Sequence, residues 1–151
     1  MKNLILLIIA VTGIILISSC SGKKEKTEQA VETSVAEETL QADFTAGKDI
    51  YKAKCVVCHQ ENGQGIAGQF PPLANADYLL ADKKRAVEQV LNGSNKQIEV
   101  NGVKYSMPMP PQVETHQEAV DVVNYILNEW GNNGGTITLD EVKDIEIVRQ
   151  K

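Results

Sequence analysis

The run Cys55-Val56-Val57-Cys58-His59 constrains this chain more than any other feature of its sequence. Two thiols about one helical turn apart, followed at once by an imidazole, are typical of covalent c-type haem attachment. Cys-x-x-Cys spacing alone also occurs in redox dithiols and in half of a zinc site, but a zinc site needs further Cys or His ligands at similar spacing. The sequence has none at such spacing. We therefore predict one haem held by Cys55 and Cys58 through thioethers, with His59 as an axial iron ligand.

The N-terminus predicts export across a membrane. Lys2 precedes an apolar run of fourteen residues from Leu4 to Ile17. This run is shorter than the roughly 20 residues that span a bilayer, and it is typical of a secretory signal. The small residues that end at Cys20 resemble the bacterial lipoprotein cleavage box, which implies a signal peptide over residues 1–19 and lipidation of Cys20. An ordinary signal peptide with a chance cysteine, or an uncleaved anchor, is the alternative.

Residues 20–42 are predicted to form a disordered tether. They are mainly Lys, Glu, Thr, Ser, Ala and Gln, so they cannot bury enough apolar surface to offset the ordering of the chain. A flexible chain of this length reaches on the order of 25 Å. The Glu and Ala content favours a transient helix as the alternative. Either way, the segment would connect a lipid anchor at Cys20 to the domain that follows.

The charge of the following domain argues against nucleic acid as a partner. Residues 43–132 contain 8 Lys and Arg and 11 Asp and Glu, a net charge of −3, whereas nucleic-acid binding needs a basic face. About ninety residues form only a small core. A covalently bound porphyrin would enlarge that core, so we expect the haem to stabilise the fold as well.

Hydrophobic spacing and capping signals predict short helices and one β-hairpin in this domain. A glycine-rich loop over residues 60–69 follows the Cys-x-x-Cys-His run, and Asn101-Gly102 is a strong hairpin signal. Residues 133–151 form an extension, in which a capping box from Thr138 to Glu141 opens a short helix on the outside of the domain. The predicted helices of the domain are Phe44–Lys54, Ala81–Asn92 and a last helix from its Thr115 cap to Trp130.

In this order the elements resemble a bacterial class I, monohaem cytochrome c domain over roughly residues 43–132. Gly47 and Tyr51 match the Gly-x-x-x-aromatic pattern of that family's first helix, and Tyr125 matches the aromatic residue of its last helix. The resemblance implies that these two helices cross so closely that only glycine fits between them. It also implies an all-α fold of three to five helices around one covalently bound haem, with one short β-hairpin.

The resemblance extends to the surroundings of the haem. Pro71-Pro72-Leu73 resembles the family's Pro-x-Leu, which implies that the Pro71 carbonyl accepts a hydrogen bond from His59 Nδ1 and that Leu73 lies against the ring. Such a bond would orient His59 and raise its basicity. Tyr105 falls in a Val-x-Gly-x-x-Tyr-x-x-x-Met-Pro stretch like that of cytochrome domains found beside copper nitrite reductases and terminal oxidases.

The second axial ligand implied by the resemblance is a methionine followed by proline. This chain offers two, Met107 and Met109, each before a proline that favours extended backbone. Residues two apart in an extended run face the same side, so either sulfur could face the iron. We favour Met109, because Tyr105 precedes it by four residues and two prolines follow it. Met107 is the alternative.

Other conspicuous residues receive ordinary interpretations. His116, the second histidine of the chain, falls just after a helix N-cap and is expected to face solvent. The basic run from Lys83 to Arg85 is expected to be a solvated helix face, and Trp130 a packing residue.

Together with the resemblance, these residues predict an electron carrier rather than an enzyme, tethered by lipid to a bacterial membrane on the periplasmic side of the envelope. With His59 and Met109 on the iron, no coordination position is open to a small-molecule substrate, and this ligand pair raises the reduction potential. The expected partners are redox proteins that dock transiently at the haem edge, from a quinol-oxidising complex to a terminal oxidase or a reductase such as nitrite reductase. The alternatives are a haem enzyme of peroxidase type and a structural or sensory haem subunit of a membrane complex.

Overall fold

Helices dominate the part of the chain that this computed structural model describes, residues 35–148. The all-α class is confirmed, although the six helical segments within residues 35–148 exceed the predicted three to five because several are only one turn long. The predicted signal peptide, Cys20 and the tether up to residue 34 lie outside the described residues. The elements are α1 Val35–Lys54, α2 Val56–His59, α3 Asp77–Ala81, α4 Lys83–Asn92, β1 Ile98–Val100, β2 Val103–Tyr105, α5 His116–Asn128 and α6 Leu139–Val142.

Helix α1 begins earlier than the sequence predicted. It starts at Val35 rather than Phe44, so residues 35–42 of the predicted disordered tether are helical. These residues include Ala, Glu, Leu and Gln, all of which have high helix propensity. The extra turns continue a helix that tertiary packing already holds further along, so no new nucleation is needed.

The crossing of α1 and α5 confirms the predicted close approach at Gly47. A Cβ at this position would lie 2.0 Å from the Asp121 carbonyl oxygen and 2.7 Å from Tyr125 Cβ. One turn further along, the ring of Tyr51 packs against those of Tyr125 and Trp130, with centroid separations of 5.5 and 5.0 Å. The absent side chain of Gly47 thus lets the two helices meet, and the aromatic rings fill the space beside their contact.

The predicted helix over Ala81–Asn92 is interrupted at its start. Asp82 adopts an extended conformation and its carboxylate accepts the backbone N–H of Arg85, so a short α3 ends and α4 begins after Asp82. Aspartate at an N-cap competes with the helical conformation in this way because its side chain satisfies an otherwise unpaired N–H. The three residues predicted to face the core are buried, as expected: Val87, Val90 and Leu91.

The hairpin and the last long helix follow their local signals. Strands β1 and β2 pair antiparallel, with Val100 opposite Val103 across the predicted turn. The capping box at the start of α5 forms as predicted, because Thr115 and Glu118 each bond the other's backbone N–H. Helix α5 ends at Asn128 rather than at the predicted Trp130. Trp130 cannot continue the helix, because its backbone is in the left-handed region at φ 53°.

Residues 133–148, named here the C-terminal strap, lie against α4 and α5. Its helix α6 opens with the predicted capping box, and Val142 within it is fully buried. The extension is therefore part of the core's cover rather than a free tail. None of the helices in the described part of the chain is both long and apolar enough to cross a membrane.

Candidate functional site

One cavity gathers all the site residues predicted between positions 55 and 109. It measures about 310 Å³, within the range of about 300–1,000 Å³ that is usual for small-molecule sites. α4 and α5 supply one apolar wall through residues such as Val90 and Ile126. The predicted site residues that line it are Cys55, Cys58, His59, Pro71, Leu73, Tyr105, Met107 and Met109.

Continuous helical hydrogen bonding fixes the side of the cavity that carries the thiols. Cys55 N–H donates to the carbonyl of Tyr51 at the end of α1, and His59 N–H donates to the carbonyl of Cys55 at 2.9 Å. This single turn brings Cys55, Cys58 and His59 to the same wall. Gln60 then leaves the helix at φ 64°, and its carbonyl accepts the Tyr51 hydroxyl at 2.6 Å.

The His59 imidazole is oriented by the bond that the resemblance implied. His59 Nδ1 lies 3.0 Å from the Pro71 carbonyl oxygen. A neutral imidazole that donates from Nδ1 has its lone pair on Nε2, the form in which histidine binds a metal. Gly65 makes the approach possible, because a Cβ there would lie 2.5 Å from the Pro71 oxygen and 2.3 Å from the Phe70 oxygen.

Burial sets the protonation of these groups in the polypeptide. It raises the pKa of the Cys55 thiol to about 11, with Cys58 adding to the effect, so the thiol is neutral near pH 7. Burial lowers the pKa of His59, and the bond to the Pro71 carbonyl opposes this by a smaller amount. A buried neutral imidazole beside one buried and one partly buried thiol suits an uncharged apolar ligand face better than a bound anion.

The two methionines differ clearly in their surroundings. Met109 is partly buried against the core, and its backbone forms a pair of 2.8 Å hydrogen bonds with Ser94 just beyond α4. Met107 is 52% exposed and has no such backbone pair among the described bonds. Both residues line the cavity, as the extended-chain argument required. The difference in burial favours Met109 over Met107 as the second iron ligand, in agreement with the preference from sequence.

Asn132 is a supporting residue that sequence reasoning missed. Its buried side chain donates to the carbonyls of Leu73, at 3.0 Å, and Ile126, and it accepts the N–H of Asn75. These bonds tie the Leu73 segment to α5 and so hold one wall of the cavity. A buried Asn after the last helix gives no periodic signal, and only its place in the run Trp130-Gly131-Asn132 at the end of the domain could have indicated a role.

Arg85 corrects the interpretation of the basic run as a solvated face. Its partly buried guanidinium lines the cavity, lies 3.7 Å from the centroid of the Tyr78 ring and donates to the Tyr78 carbonyl. Lys83 and Lys84 do point outward, but both contact the strap, at the Thr136 carbonyl and at Asp144. Helical spacing was the missed signal, since Arg85 precedes the cavity-lining Gln89 by four residues.

His116 does not line the cavity, and it is less solvated than predicted. Its Nε2 lies 2.8 Å from the carbonyl oxygen of Ile145 in the strap. Within residues 35–148, no three His, Cys, Asp or Glu side chains cluster closely enough to hold a metal ion by themselves.

Comparison with known proteins identifies the family. The sequence model of the cytochrome c family matches residues 44–130, more than half of this chain. The matched region begins in α1, ends at Trp130 and contains every cavity residue discussed above. The strap lies beyond it.

Individual relatives agree with the family match. Cytochrome c-552 of Thermus thermophilus is 42% identical over 91 residues, which cover 57% of this chain and 69% of that protein. The cytochrome c subunit of alcohol dehydrogenase (quinone) from Gluconobacter oxydans is 30% identical over 104 residues, 66% of this chain but only 22% of the subunit. Cytochrome c6 of Gracilaria tenuistipitata is 28% identical over 94 residues, 62% of this chain and 80% of the relative.

Proposed function

The chain belongs to the cytochrome c family and is an electron-transfer protein with covalently bound haem c, and we propose that it carries single electrons between redox proteins while anchored to a bacterial membrane by lipid at Cys20. The observation that carries this proposal is the convergence on one cavity of two thiols, an oriented imidazole and a partly buried methionine. These groups come from two separate segments of the chain, residues 55–59 and the extended segment around Met109.

The donor set of the cavity fits a covalently held haem. Cys55 and Cys58 would form the two thioethers, and the haem iron supplies the one-electron couple when bound. His59 would bind the iron through Nε2, with its Nδ1–H held by the Pro71 carbonyl. That hydrogen bond fixes the ring orientation and increases the basicity of the ligating nitrogen.

Met109 would fill the opposite axial position. Its backbone exchanges two hydrogen bonds of 2.8 Å with Ser94, which attach this segment to the chain just beyond α4. A thioether ligand favours the reduced iron and raises the potential. With His59 and Met109 as its ligands, the iron would have no position open to a substrate, and electrons would be exchanged at the haem edge.

Arg85 is a cation in the cavity wall that suits the carboxylates of a haem, and Lys54 and Lys96 line the same cavity. A buried carboxylate needs a hydrogen-bonded cation to offset its desolvation. The guanidinium is held in place by the Tyr78 ring and carbonyl, so it loses little side-chain freedom on binding. Leu73 and Tyr105 supply apolar contact from the facing walls.

The proposed partners are redox proteins of the cell envelope. The predicted export signal at the N-terminus supports a position on the periplasmic side, and the relatives named above include the cytochrome c subunit of an alcohol dehydrogenase (quinone). A quinol-oxidising complex as donor and an oxidase or reductase as acceptor fit a single-haem carrier on a tether.

The lipid anchor has its own test. Cys20→Ser should release the holoprotein from membranes and leave its spectrum unchanged.

Coulometric titration of the purified holoprotein tests the electron-transfer assignment. One electron per chain, with a Nernst slope of one electron and full recovery of the oxidised spectrum, is the expected result. Catalytic consumption of hydrogen peroxide by the native protein would instead support the haem enzyme of peroxidase type. A haem that changes ligands on reduction would support the sensory subunit.

A further inference from the structure

The C-terminal strap is bound along the outer faces of α4 and α5, the two helices whose inner faces line the cavity. The side chain of Asn124 holds the backbone of Ile137 by two hydrogen bonds of 2.8 and 3.0 Å. His116 and Lys84 hold Ile145 and Asp144. The strap lies beyond residues 44–130, the region that the family model matches.

Asn92, the last residue of α4, makes the final contacts with the strap. Its Nδ2 donates to the Glu146 carbonyl at 2.9 Å, and its Oδ1 accepts the N–H of Val148 at 2.8 Å. One side chain therefore uses both its donor and its acceptor on the strap. This pairing fixes the end of α4 against a segment that is itself held at several other points.

The chain immediately after Asn92 is hydrogen-bonded to the extended segment around Met109, called here the methionine segment. Ser94, two residues on, exchanges backbone hydrogen bonds of 2.8 Å in both directions with Met109. The Gln112 N–H also donates to the Val90 carbonyl in the last turn of α4, at 2.9 Å. The methionine segment is thus attached to the same end of α4 that Asn92 attaches to the strap.

From this arrangement we propose that Asn92 is a positioning residue, which couples the strap to the Met109 segment and holds the Met109 sulfur in place as iron ligand. The proposal rests on the proposed function, since it needs Met109 as the axial ligand. Without the bonds from Asn92 to the strap, the end of α4 would be more mobile, and the pairing of Ser94 with Met109 would break more often. The open state, in which Met109 has left the iron, would then be more populated. The strap would then serve the redox site and not only the stability of the fold.

Imidazole added to the oxidised holoprotein measures that open state. Imidazole can bind the iron only where Met109 has left it, so the apparent affinity is the intrinsic affinity reduced by the open fraction. Loss of two partly exposed hydrogen bonds in Asn92→Ala is expected to raise the apparent affinity roughly three- to tenfold. The reduction potential should fall in the same variant, because the oxidised state tolerates loss of the thioether better.

Asn128→Ala is the matched control. Asn128 also makes two hydrogen bonds, to the carbonyls of Gly135 and Asn124, but it lies at the opposite end of the strap from Met109. A comparable loss of thermal stability with imidazole affinity within about twofold of wild type is expected. Asn92→Asp, which keeps the acceptor for Val148 and loses the donor to Glu146, should lie between wild type and Asn92→Ala, and it carries the comparison if the alanine variant yields no holoprotein.

Equal changes in the Asn92 and Asn128 variants, or no change in either, would overturn the proposal and leave the strap a purely structural element. Met109→Ala separates this failure from failure of the proposed function. If Met109→Ala binds imidazole no more tightly than wild type, the axial assignment itself is wrong. If it binds much more tightly while the Asn92 variants match wild type, the assignment stands and the positioning role of Asn92 is rejected.

Discussion

The two sides of the cavity are built in different ways. The thiol and histidine side is one helical turn of five consecutive residues, completed by a carbonyl twelve residues further on. The methionine side is an extended segment that depends on pairing with Ser94, fifteen residues earlier, and on the end of α4. One side is specified by local sequence, the other by tertiary contacts.

This difference explains why one side could be predicted uniquely and the other could not. Residues in a single helical turn have fixed spacing, so Cys55, Cys58 and His59 must share a wall. Met107 and Met109 have similar local sequence, each before a proline, so the preference for Met109 rested on its neighbours alone. In the folded chain, burial and the pairing with Ser94 distinguish them, because Met107 is 52% exposed and Met109 is partly buried.

The largest effect is expected from removal of both thiols on the locally specified side. The Cys55→Ala, Cys58→Ala double variant should retain no haem through denaturing electrophoresis, because no side chain remains to form a thioether. Val57→Ala, which changes an 80% exposed residue between them, should keep full haem staining. Covalent haem in the double variant would contradict the assignment.

A large but smaller effect is expected on the tertiary side. Met109→Ala should remove the sulfur-to-iron charge-transfer band and lower the reduction potential by part of the roughly 0.8 V that axial ligands can set. Met107→Ala should change both only slightly. A partly preserved band in Met109→Ala that disappears in the double variant would reveal replacement by Met107, and loss of the band in Met107→Ala alone would reverse the assignment.

A moderate effect is expected from Gly65, whose missing side chain lets the Pro71 carbonyl approach His59. Gly65→Ala brings a methyl group within 2.3 Å of the Phe70 carbonyl oxygen at a φ of 62°, and is expected to lower the free energy of unfolding by about 2–4 kcal/mol. Gly68→Ala is the control, because its φ is 74° but nothing lies within 4 Å of the added carbon. Denaturant titration of both holoproteins measures the difference. Equal losses would mean that backbone conformation, not close approach, requires the glycine.

The smallest effect tests a local motif away from both sides. The Thr115 hydroxyl holds the pKa of Glu118 below its usual range, so the carboxylate stabilises the fold above the ordinary carboxyl pKa, and this contribution is lost as the pH falls through the lowered value. Glu118→Gln should therefore cost about 1 kcal/mol or less near pH 7 and almost nothing near pH 3. Thermal unfolding at the two pH values measures it. A difference that grows in acid would have the wrong sign.

Elements with short-range causes were predictable from sequence. The capping box at Thr115 and the turn at Asn101-Gly102 formed as expected, because each depends on residues within a few positions. Asp82 was misjudged, since a helical pattern continued through a residue that instead caps the next helix. Arg85 and Asn132 were missed because their roles depend on Tyr78 and on Leu73, which only the folded chain brings near.

The reaction of the reduced protein with carbon monoxide tests the central claim most directly, namely that protein atoms occupy both axial positions of an electron-carrying haem. We predict that the native protein forms no carbon monoxide adduct, whereas Met109→Ala forms one readily, since only the variant has an open position on the iron. An adduct in the native protein equal to that of the variant would contradict the account and indicate a ligand-binding haem instead.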